Sequence, residues 1–238
     1  MAAQYTLVIG TANWSSWSLR PWLALSHIGV PFKTVKIALR QPGKSKKAIL
    51  KHTPSGKVPV LKIAERGKTL KVWDSLAICE TLAERHPKAA LWPANAAVRA
   101  TARAYAAEMH SGFPNVRDQL SMEFVCRLEL PALREQTRAE IARIIAAWSA
   151  ALTASAKNGS GGPFLFGRFS IADVMYAPVV SRFVTYGVTV PRPVRAYMDR
   201  MMALPGMIAW GRMAQKEVDA GLTTLATVMR AERTKKRN

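Results

Sequence analysis

Two adjacent serines stand where a strand candidate is followed by a helix candidate. Residues 5–10, YTLVIG, are apolar and β-prone, and the polar turn 11–13 separates them from Ser15 and Ser16. A serine hydroxyl at the start of a helix either caps the first turn or stabilises a negative charge on a bound group, together with the helix N-terminus. Both roles are open for this pair.

The run 53–61, TPSGKVPVL, places a proline at the start of an apolar strand candidate. Pro59 has no N–H to give to a sheet, and a cis Val58–Pro59 bond would turn the chain sharply and direct the backbone N–H and C=O of Val58 outward. Exposed backbone of this kind is a docking edge for a peptide. Sixteen residues after Val58, the pair Asp74-Ser75 begins a helix candidate whose free N–H groups suit a carboxylate, although such a pair also serves as an ordinary helix cap.

The pattern of strands and helices predicts two domains. Residues 1–86 have a compact α/β pattern, and 87–95, with two prolines, forms a linker. Residues 96–238 are expected to form an all-α domain with a basic tail. Strand candidates lie at 5–10, 32–39, 58–63 and 69–72, and helix candidates at about 16–29, 74–85, 98–113, 141–152, 192–202, 208–218 and 223–233. One more helix begins at the S-x-x-D capping box Ser170 to Asp173, contains Pro178 and is expected to bend there.

Composition excludes several classes of protein. The chain has 238 residues, of which 49% are apolar and 21% charged, as in ordinary globular proteins and unlike disordered or fibrous ones. No apolar run is long enough to cross a bilayer, and the start lacks a signal-peptide pattern. The two cysteines, Cys79 and Cys126, are too few for a disulfide framework. We therefore expect a cytoplasmic protein without a membrane partner.

Standard catalytic and metal-binding signatures are missing. The sequence has no GxGxxG after a strand, no complete P-loop, no HExxH and no GxSxG. None of the histidines at 27, 52, 86 and 110 pairs with another at metal-ligand spacing. We therefore expect no metal site and no nucleotide or hydride-transfer chemistry.

The net charge is +20, which favours anionic partners. Residues 1–86 carry 14 basic and 4 acidic side chains, and the tail from Arg230 carries 5 basic and 1 acidic, so the charge is spread along the chain. The densest clusters, at 44–51 and 233–237, have no interleaved aromatic residues for base stacking. A solvated helix face and a frayed tail are the favoured interpretation, and a nucleic-acid partner is not expected.

The order of strand, serine-bearing turn and helix, then PSGKVPVL, then WDSLAI, then a helical half with FGRFSIADVMYAP, resembles the cytosolic glutathione S-transferases along essentially the whole chain. The resemblance implies a thioredoxin-like N-terminal domain that binds glutathione as co-substrate. It also implies an α-helical C-terminal domain that supplies most of the electrophile pocket, and a homodimer. A small hydrophobic electrophile would be the second substrate.

The family's glutathione-binding positions are carried over to this chain as follows. The backbone of Val58, before cis-Pro59, would pair with the cysteinyl part of glutathione. Asp74 and Ser75 would hold the γ-glutamyl end, and Lys57 could reach the glycyl carboxylate.

In serine-type members of the family, related to the zeta, theta and beta classes, a hydroxyl at the start of the first helix stabilises the glutathione thiolate. Here that residue is Ser15, with Ser16 as the close second. Trp14 and Trp17 flank the serines, which departs from the small or cysteine residues expected there. They either narrow the electrophile site or pack into the core.

In the helical half, Tyr105, Met109 and Phe113 are candidates for walls of the electrophile pocket, although core packing is the more common fate of such a stripe. Glu108 would reach the glutathione amino group of the partner subunit, as an acidic residue often does in serine-type relatives. Asp173 resembles the family's capping-box carboxylate and has a folding role.

The resemblance implies a glutathione transferase that adds the glutathione thiolate to a small electrophile. Two alternatives stay open. One is a glutathione-dependent cis-trans isomerase of the maleylacetoacetate type, which has Ser-Ser-Cys near the segment Trp14-Ser15-Ser16. The other is a non-catalytic binding or regulatory protein of the same fold.

Overall fold

A computed structural model describes residues 3–157 and 161–223 of the chain. Its first part is a four-stranded sheet with helices on both faces, in the strand order β2-β1-β3-β4. Strands β1 and β2 are parallel, and the other neighbouring pairs are antiparallel. The elements are β1 (Gln4–Gly10), α1 (Ser16–Ile28), β2 (Phe32–Ile37), α2 (Lys44–Leu50), β3 (Val60–Glu65), β4 (Lys68–Trp73) and α3 (Ser75–Arg85).

The two faces of the sheet follow the alternation of side chains along β1. Leu7 and Ile9 face the main core, to which α1 and α3 contribute. Val8 points to the other face and packs with Val60 and with Ile49 of α2 in a smaller cluster. Because α2 is only seven residues long, it covers only part of that face.

The second part of the chain is helical. A short 3₁₀ helix, Pro87–Ala89, lies in the segment predicted as a linker. Helix α7 is buried along nearly its whole length, and α1 of the first part packs against α7 and α9. The α-helices here are α4 (Ala96–Ser111), α5 (Pro114–Gln119), α6 (Glu135–Lys157), α7 (Ile171–Thr185), α8 (Arg192–Met202) and α9 (Pro205–Asp219). The architecture is therefore the predicted α/β part followed by an all-α part.

The expected capping box is present at the start of α7. The carboxylate of Asp173 accepts hydrogen bonds from the Ser170 N–H and hydroxyl and from the Leu165 N–H, at 2.8, 3.0 and 3.1 Å. Helix α7 then continues through Pro178 to Thr185. The box thus joins the loop before α7 to the helix itself.

Several predicted boundaries are corrected. Strand β3 begins at Val60 and not at Val58, because the imide nitrogen of Pro59 cannot join the ladder. Helix α4 ends at Ser111 and not at Phe113, whose φ of 59° belongs to the turn before the unanticipated α5. Most of the helix predicted at 223–233 and the basic tail lie outside the described residues. None of the helices in the described ranges is both long and apolar enough to cross a membrane.

Candidate functional site

A cavity of about 630 Å³ lies where the start of β3 meets the start of α3. Trp17 of α1 forms one of its walls. All five of the residues predicted to bind glutathione line it, together with three apolar side chains and Ser55. The lining residues are Trp17, Leu39, Ile49, Ser55, Lys57, Val58, Pro59, Trp73, Asp74 and Ser75.

The expected cis bond between Val58 and Pro59 is present. Within residues 3–157 and 161–223, no hydrogen bond uses the N–H or the C=O of Val58. Lys57 is exposed at the rim of the cavity. A peptide-like ligand in the cavity would therefore find one free backbone donor, one free backbone acceptor and a cation nearby.

Asp74 and Ser75 occupy the N-terminus of α3. Oδ1 of Asp74 accepts the N–H groups of Leu76 and Ala77 at 2.8 and 3.2 Å, so this carboxylate caps the helix. Its backbone has φ 75° and ψ 136°, a conformation that costs about 1–3 kcal/mol for a residue other than glycine. Ser75 follows at the first helical position, fully buried at the cavity wall. This backbone conformation of Asp74 sets the direction in which the side chains of Asp74 and Ser75 enter the site.

Sequence reasoning missed Arg20, which lies behind Ser75. Its Nη1 donates to the Ser75 hydroxyl at 3.3 Å, and the whole side chain is buried. In the described part of the chain it forms no ion pair, and its Nε and Nη2 have no hydrogen-bond partner. Burial lowers the pKa of Arg20 to about 9, and the nearby positive charge of Arg117 adds to the effect. An arginine among the apolar positions of α1, beside Leu19 and Leu23, was the available signal.

His110 of α4 reaches the same site from the helical half. Its Nε2 lies 3.2 Å from Oδ2 of Asp74, and its ring meets Trp17 edge-to-face at 5.4 Å. Burial lowers the pKa of His110, an effect that Asp74 opposes and Arg20 and Arg117 reinforce. The helical half thus contacts the γ-glutamyl side of the predicted site through this side chain.

Ser15 is the N-cap residue of α1, but its side chain does not cap the helix. Its hydroxyl donates instead to Oγ of Ser18 at 2.7 Å, and Ser18 also accepts the Gly10 N–H. The Ser16 hydroxyl has no hydrogen-bond partner among the described residues. Neither serine is among the residues that line the cavity, although the next residue, Trp17, is. Helix capping, the alternative role for the pair, is therefore not what these hydroxyls do.

The two tryptophans that flank the serines have different surroundings. Trp14 donates its indole N–H to Glu123 at 3.0 Å and stacks under Arg40, away from the cavity lining. Trp17 is 36% exposed and lines the cavity, with the guanidinium groups of Arg20 and Arg117 at 4.4 and 4.8 Å from its ring centre. Of the pair, only Trp17 is placed to limit what enters the cavity.

The other predicted pocket residues are not brought to this cavity. Tyr105 faces α6, where its hydroxyl donates to the Ala147 carbonyl at 3.2 Å and its ring meets Phe166. Met109 and Phe113 are buried in the main core. The stripe on α4 therefore has the core-packing role that its spacing also allowed.

Glu108 forms a bidentate ion pair with Arg143 of α6, at 2.7 and 2.8 Å. Its contact with the glutathione of a partner subunit stays a prediction, and that contact would require the Arg143 pair to open.

Two buried carboxylates hold the turn before Ser15, and sequence reasoning missed both. Oε2 of Glu217, on α9, accepts the N–H groups of Ala12 and Asn13 at 2.6 and 3.2 Å. Oε2 of Glu123 accepts the Asn13 side-chain amide at 2.9 Å. Burial raises the pKa of each carboxyl. The helical half thus fixes the turn that presents the serine pair.

The histidine, cysteine and carboxylate side chains of residues 3–157 and 161–223 form no group of three that could hold a metal ion. The polar groups that line the cavity are the hydroxyls of Ser55 and Ser75, the backbone of Val58, the carboxylate of Asp74 and the cation of Lys57.

Two family models match the chain. The model of the glutathione S-transferase N-terminal domain matches residues 14–85, and that of the glutathione S-transferase C-terminal domain matches residues 131–210. No curated protein has a sequence that matches the chain.

Solved structures extend the comparison. A maleylacetoacetate isomerase from Anaeromyxobacter dehalogenans 2CP-1, with bound GSH in its active site, is 26% identical with a TM-score of 0.64, over 90% of this chain and 98% of its own. A glutathione transferase homolog from Burkholderia GL BGR1, with bound glutathione, is 24% identical with a TM-score of 0.67, over 90% and 99%. Glutathione transferase Omega 2S from Trametes versicolor, in complex with 2,4-dihydroxybenzophenone, is 19% identical with a TM-score of 0.65, over 93% and 99%. The Burkholderia and Trametes structures are less than 25% identical to this chain, so they show similarity of fold alone.

Proposed function

The chain belongs to the glutathione S-transferase family, and from that membership we propose that it binds glutathione in the cavity between β3 and α3 and joins the glutathione thiolate to a small electrophile. One observation carries the proposal: the free backbone groups of Val58 and the N-terminus of α3 at Ser75 line the same cavity. A γ-glutamyl peptide has an amide to pair with the first and an α-carboxylate to bind to the second.

Binding uses charge and backbone together. The γ-glutamyl carboxylate accepts hydrogen bonds from the hydroxyl and N–H of Ser75, at the positive end of α3. Because Arg20 donates to the Ser75 oxygen, the hydroxyl proton is directed toward the ligand, and the buried positive charge favours the carboxylate. Arg20 is therefore a positioning residue. Lys57 at the rim is placed for the glycyl carboxylate.

Thiolate formation relies on the N-terminus of α1. That helix end has no side-chain cap; the Ser16 N–H donates to the Trp14 carbonyl at 3.1 Å, which leaves the N–H groups of Trp17 and Ser18 and the helix dipole for a negative sulfur. The hydroxyl of Ser15, or alternatively that of Ser16, donates a hydrogen bond to the sulfur. If Ser15 acts, its hydroxyl leaves Ser18 when glutathione binds.

With an aryl halide as the electrophile, the transfer step is a nucleophilic displacement. The thiolate attacks an electrophilic carbon and forms a C–S bond, while the halide or other leaving group departs with its electron pair. The proton lost by the thiol goes to solvent. The protein accelerates this step by holding the two reactants together and by keeping the sulfur ionised.

The first test is a calorimetric titration with glutathione, followed by turnover of an aryl halide in the same sample. Binding in the micromolar to millimolar range with turnover supports a transferase, whereas no binding removes the proposed function. Ser15→Ala and Ser16→Ala form a matched pair: the variant that lowers turnover while glutathione affinity is kept identifies the thiolate-stabilising residue. Ser75→Ala should weaken glutathione binding itself.

A second candidate is a glutathione-dependent cis-trans isomerase, favoured by the 26% identity to the maleylacetoacetate isomerase. There the thiolate adds to a conjugated double bond, the carbon–carbon bond rotates and the thiolate is expelled, so glutathione is not consumed. Recovery of all the glutathione after turnover of a cis-dienone would favour this reaction.

The homodimer and the cytoplasmic location also stay proposals, and a non-catalytic binding role is the interpretation if neither reaction occurs.

A further inference from the structure

The first 64 residues contain ten Lys and Arg side chains and neither Asp nor Glu. The proposed glutathione site uses Arg20 and Lys57 of these. The other basic residues are spread along the sequence, so a shared role is visible only once the strands are paired.

The strand register gathers two of these lysines, Lys33 and Lys62, in one row with Lys71 of β4. Lys33 of β2 lies opposite Thr6 of β1, Thr6 lies opposite Lys62 of β3, and Lys62 lies opposite Lys71 of β4. Directly opposite residues in a sheet share a face. The row is on the face that carries Val8 and α2, two positions along β1 from Val8. We refer to Lys33, Lys62 and Lys71 as the basic row.

The basic row is left open by the rest of the fold. Lys33 and Lys71 are exposed, and Lys62 is half-buried. A depression of about 640 Å³ lies beside the row, with Thr6, Lys33, Lys62 and Thr69 among its lining residues. Within residues 3–157 and 161–223, no lysine of the row forms an ion pair.

The position of the lysines works against stability. Lys62 and Lys71 are directly opposite on neighbouring strands, and like charges in that position are destabilising. The nearest acidic residue along the chain is Glu65 of β3. It is three positions from Lys62, so its side chain is on the opposite face of the sheet, where it pairs with Arg85 of α3. Burial lowers the pKa of His52, next to α2, and the charges of Lys62, Lys71 and Lys51 lower it further. Positive charge is thus concentrated on this face, and no acidic side chain within residues 3–157 and 161–223 forms an ion pair with the basic row.

We propose that the basic row binds the phosphate backbone of a nucleic-acid duplex without reading its sequence. Lysine is a compact, flexible point charge that suits phosphates, and the row has no arginine for bidentate contact with base edges. Thr6, and not an aromatic residue, lies between Lys33 and Lys62, and Lys62 is directly opposite Lys71, so the row itself offers no platform for stacking single-stranded bases.

A membrane surface fits the row less well than a duplex does. Interfacial anchoring uses apolar side chains within the basic surface. Of the exposed apolar residues nearby, Leu50 belongs to α2 and Trp73 lines the cavity at Val58 and Ser75, while Leu70 of β4 lies opposite Ile63 on the other face of the sheet. No role was predicted for these three lysines from the sequence, because only the strand register brings them together.

The experiment measures binding of a labelled DNA duplex of about 20 base pairs by fluorescence anisotropy, from about 50 to 200 mM salt. The slope of the logarithm of the association constant against the logarithm of the salt concentration is proportional to the number of phosphates that the protein neutralises. Lys33→Gln, Lys62→Gln and Lys71→Gln combined should reduce that slope by about three and weaken binding by about tenfold or more near 0.1 M salt. Melting should show a fold at least as stable as wild type, because the repulsion between Lys62 and Lys71 is removed.

A matched control neutralises Lys88, Arg192 and Arg200 in the same way, since these exposed side chains lie elsewhere on the chain. The control should keep the wild-type slope. Equal losses in both triple variants would overturn the proposal, because net charge alone would then account for binding. Binding to phosphatidylserine vesicles without binding to the duplex would overturn it in favour of a membrane partner, and no binding to either would remove it. Glutathione affinity should be the same in both triple variants, so this test is independent of the proposed enzymatic function.

Discussion

The guanidinium of Arg20 donates to the hydroxyl of Ser75 across 3.3 Å inside the protein, and no carboxylate of the described residues pairs with it. A buried cation without a partner destabilises a folded chain. The buried, unpaired charge of Arg20 therefore costs stability in the free protein, and an anionic group bound at Ser75 would compensate for that cost. An unpaired buried charge beside Ser75 favours a ligand-binding role for Arg20 over a purely structural one.

Arg20→Met should weaken glutathione binding by about tenfold, because one charge-assisted interaction near the γ-glutamyl carboxylate is lost. The free energy of unfolding of the unliganded protein should stay the same or rise, since an unpaired buried charge is replaced by an apolar side chain of similar length. Calorimetry with glutathione and chemical denaturation measure the two effects. Arg20→Lys, which keeps the charge, should bind with intermediate affinity. A variant that loses stability but keeps its affinity would show that Arg20 is purely structural.

Much of the glutathione side of the site was predictable from the sequence. Pro59 before a strand and Asp74-Ser75 at a helix start have local causes, since each depends on backbone chemistry within a few residues. The structure brings both to one cavity with Lys57. The order of strands and helices was equally accessible, because short alternating runs and capping residues mark it locally.

The remaining contacts depend on residues far apart in the chain. Arg20 meets Ser75 across 55 positions, and Glu217 meets Asn13 across 204. Periodicity identifies the buried stripe of α4 but does not tell whether it faces a ligand or a neighbouring helix. Tyr105 faces the neighbouring helix α6, and only the tertiary packing of the helices determines this orientation.

Trp17 should set the size limit for the electrophile. Its ring is 36% exposed at the cavity wall, and it is held by two guanidinium groups and His110. Trp17→Ala should raise the turnover of a bulky aryl halide relative to a small one, because the wall recedes. Trp14→Ala is the matched control, since Trp14 is outside the cavity lining and should leave that ratio unchanged. An unchanged ratio in the Trp17 variant would place the electrophile elsewhere.

Glu217 should stabilise both the fold and the turn that presents the serines. Glu217→Ala leaves the buried N–H groups of Ala12 and Asn13 without their acceptor, at about 1–3 kcal/mol each, so the free energy of unfolding should fall. Turnover should fall more than glutathione affinity, because Ser15 loses its fixed position while Val58 and Ser75 do not. Glu217→Gln keeps an acceptor oxygen, so it should retain most of the wild-type free energy of unfolding and most of the wild-type turnover. Asp219→Ala, an exposed change on the same helix, serves as the control, and a folded Glu217→Ala protein with wild-type turnover would contradict the positioning role.

Asp173 should make stability depend on pH in the direction opposite to that of a salt-bridged carboxylate. Burial raises the pKa of Asp173 from 3.8 to about 6, against the hydrogen bonds from Leu165 and Ser170, which lower it. The folded chain therefore binds a proton here more readily than the unfolded chain, and the contribution of this group is fully present below about pH 4 and lost as pH rises through 6. Asp173→Asn removes this titration, so the stability lost on substitution should be larger at pH 4 than at pH 7, by about 2 kcal/mol. Denaturant unfolding of both proteins at the two pH values measures the difference, with Asp199→Asn, an exposed change on α8, as the control. A loss that is larger at pH 7 would mean that the carboxylate, and not the protonated acid, is the form that the capping box prefers.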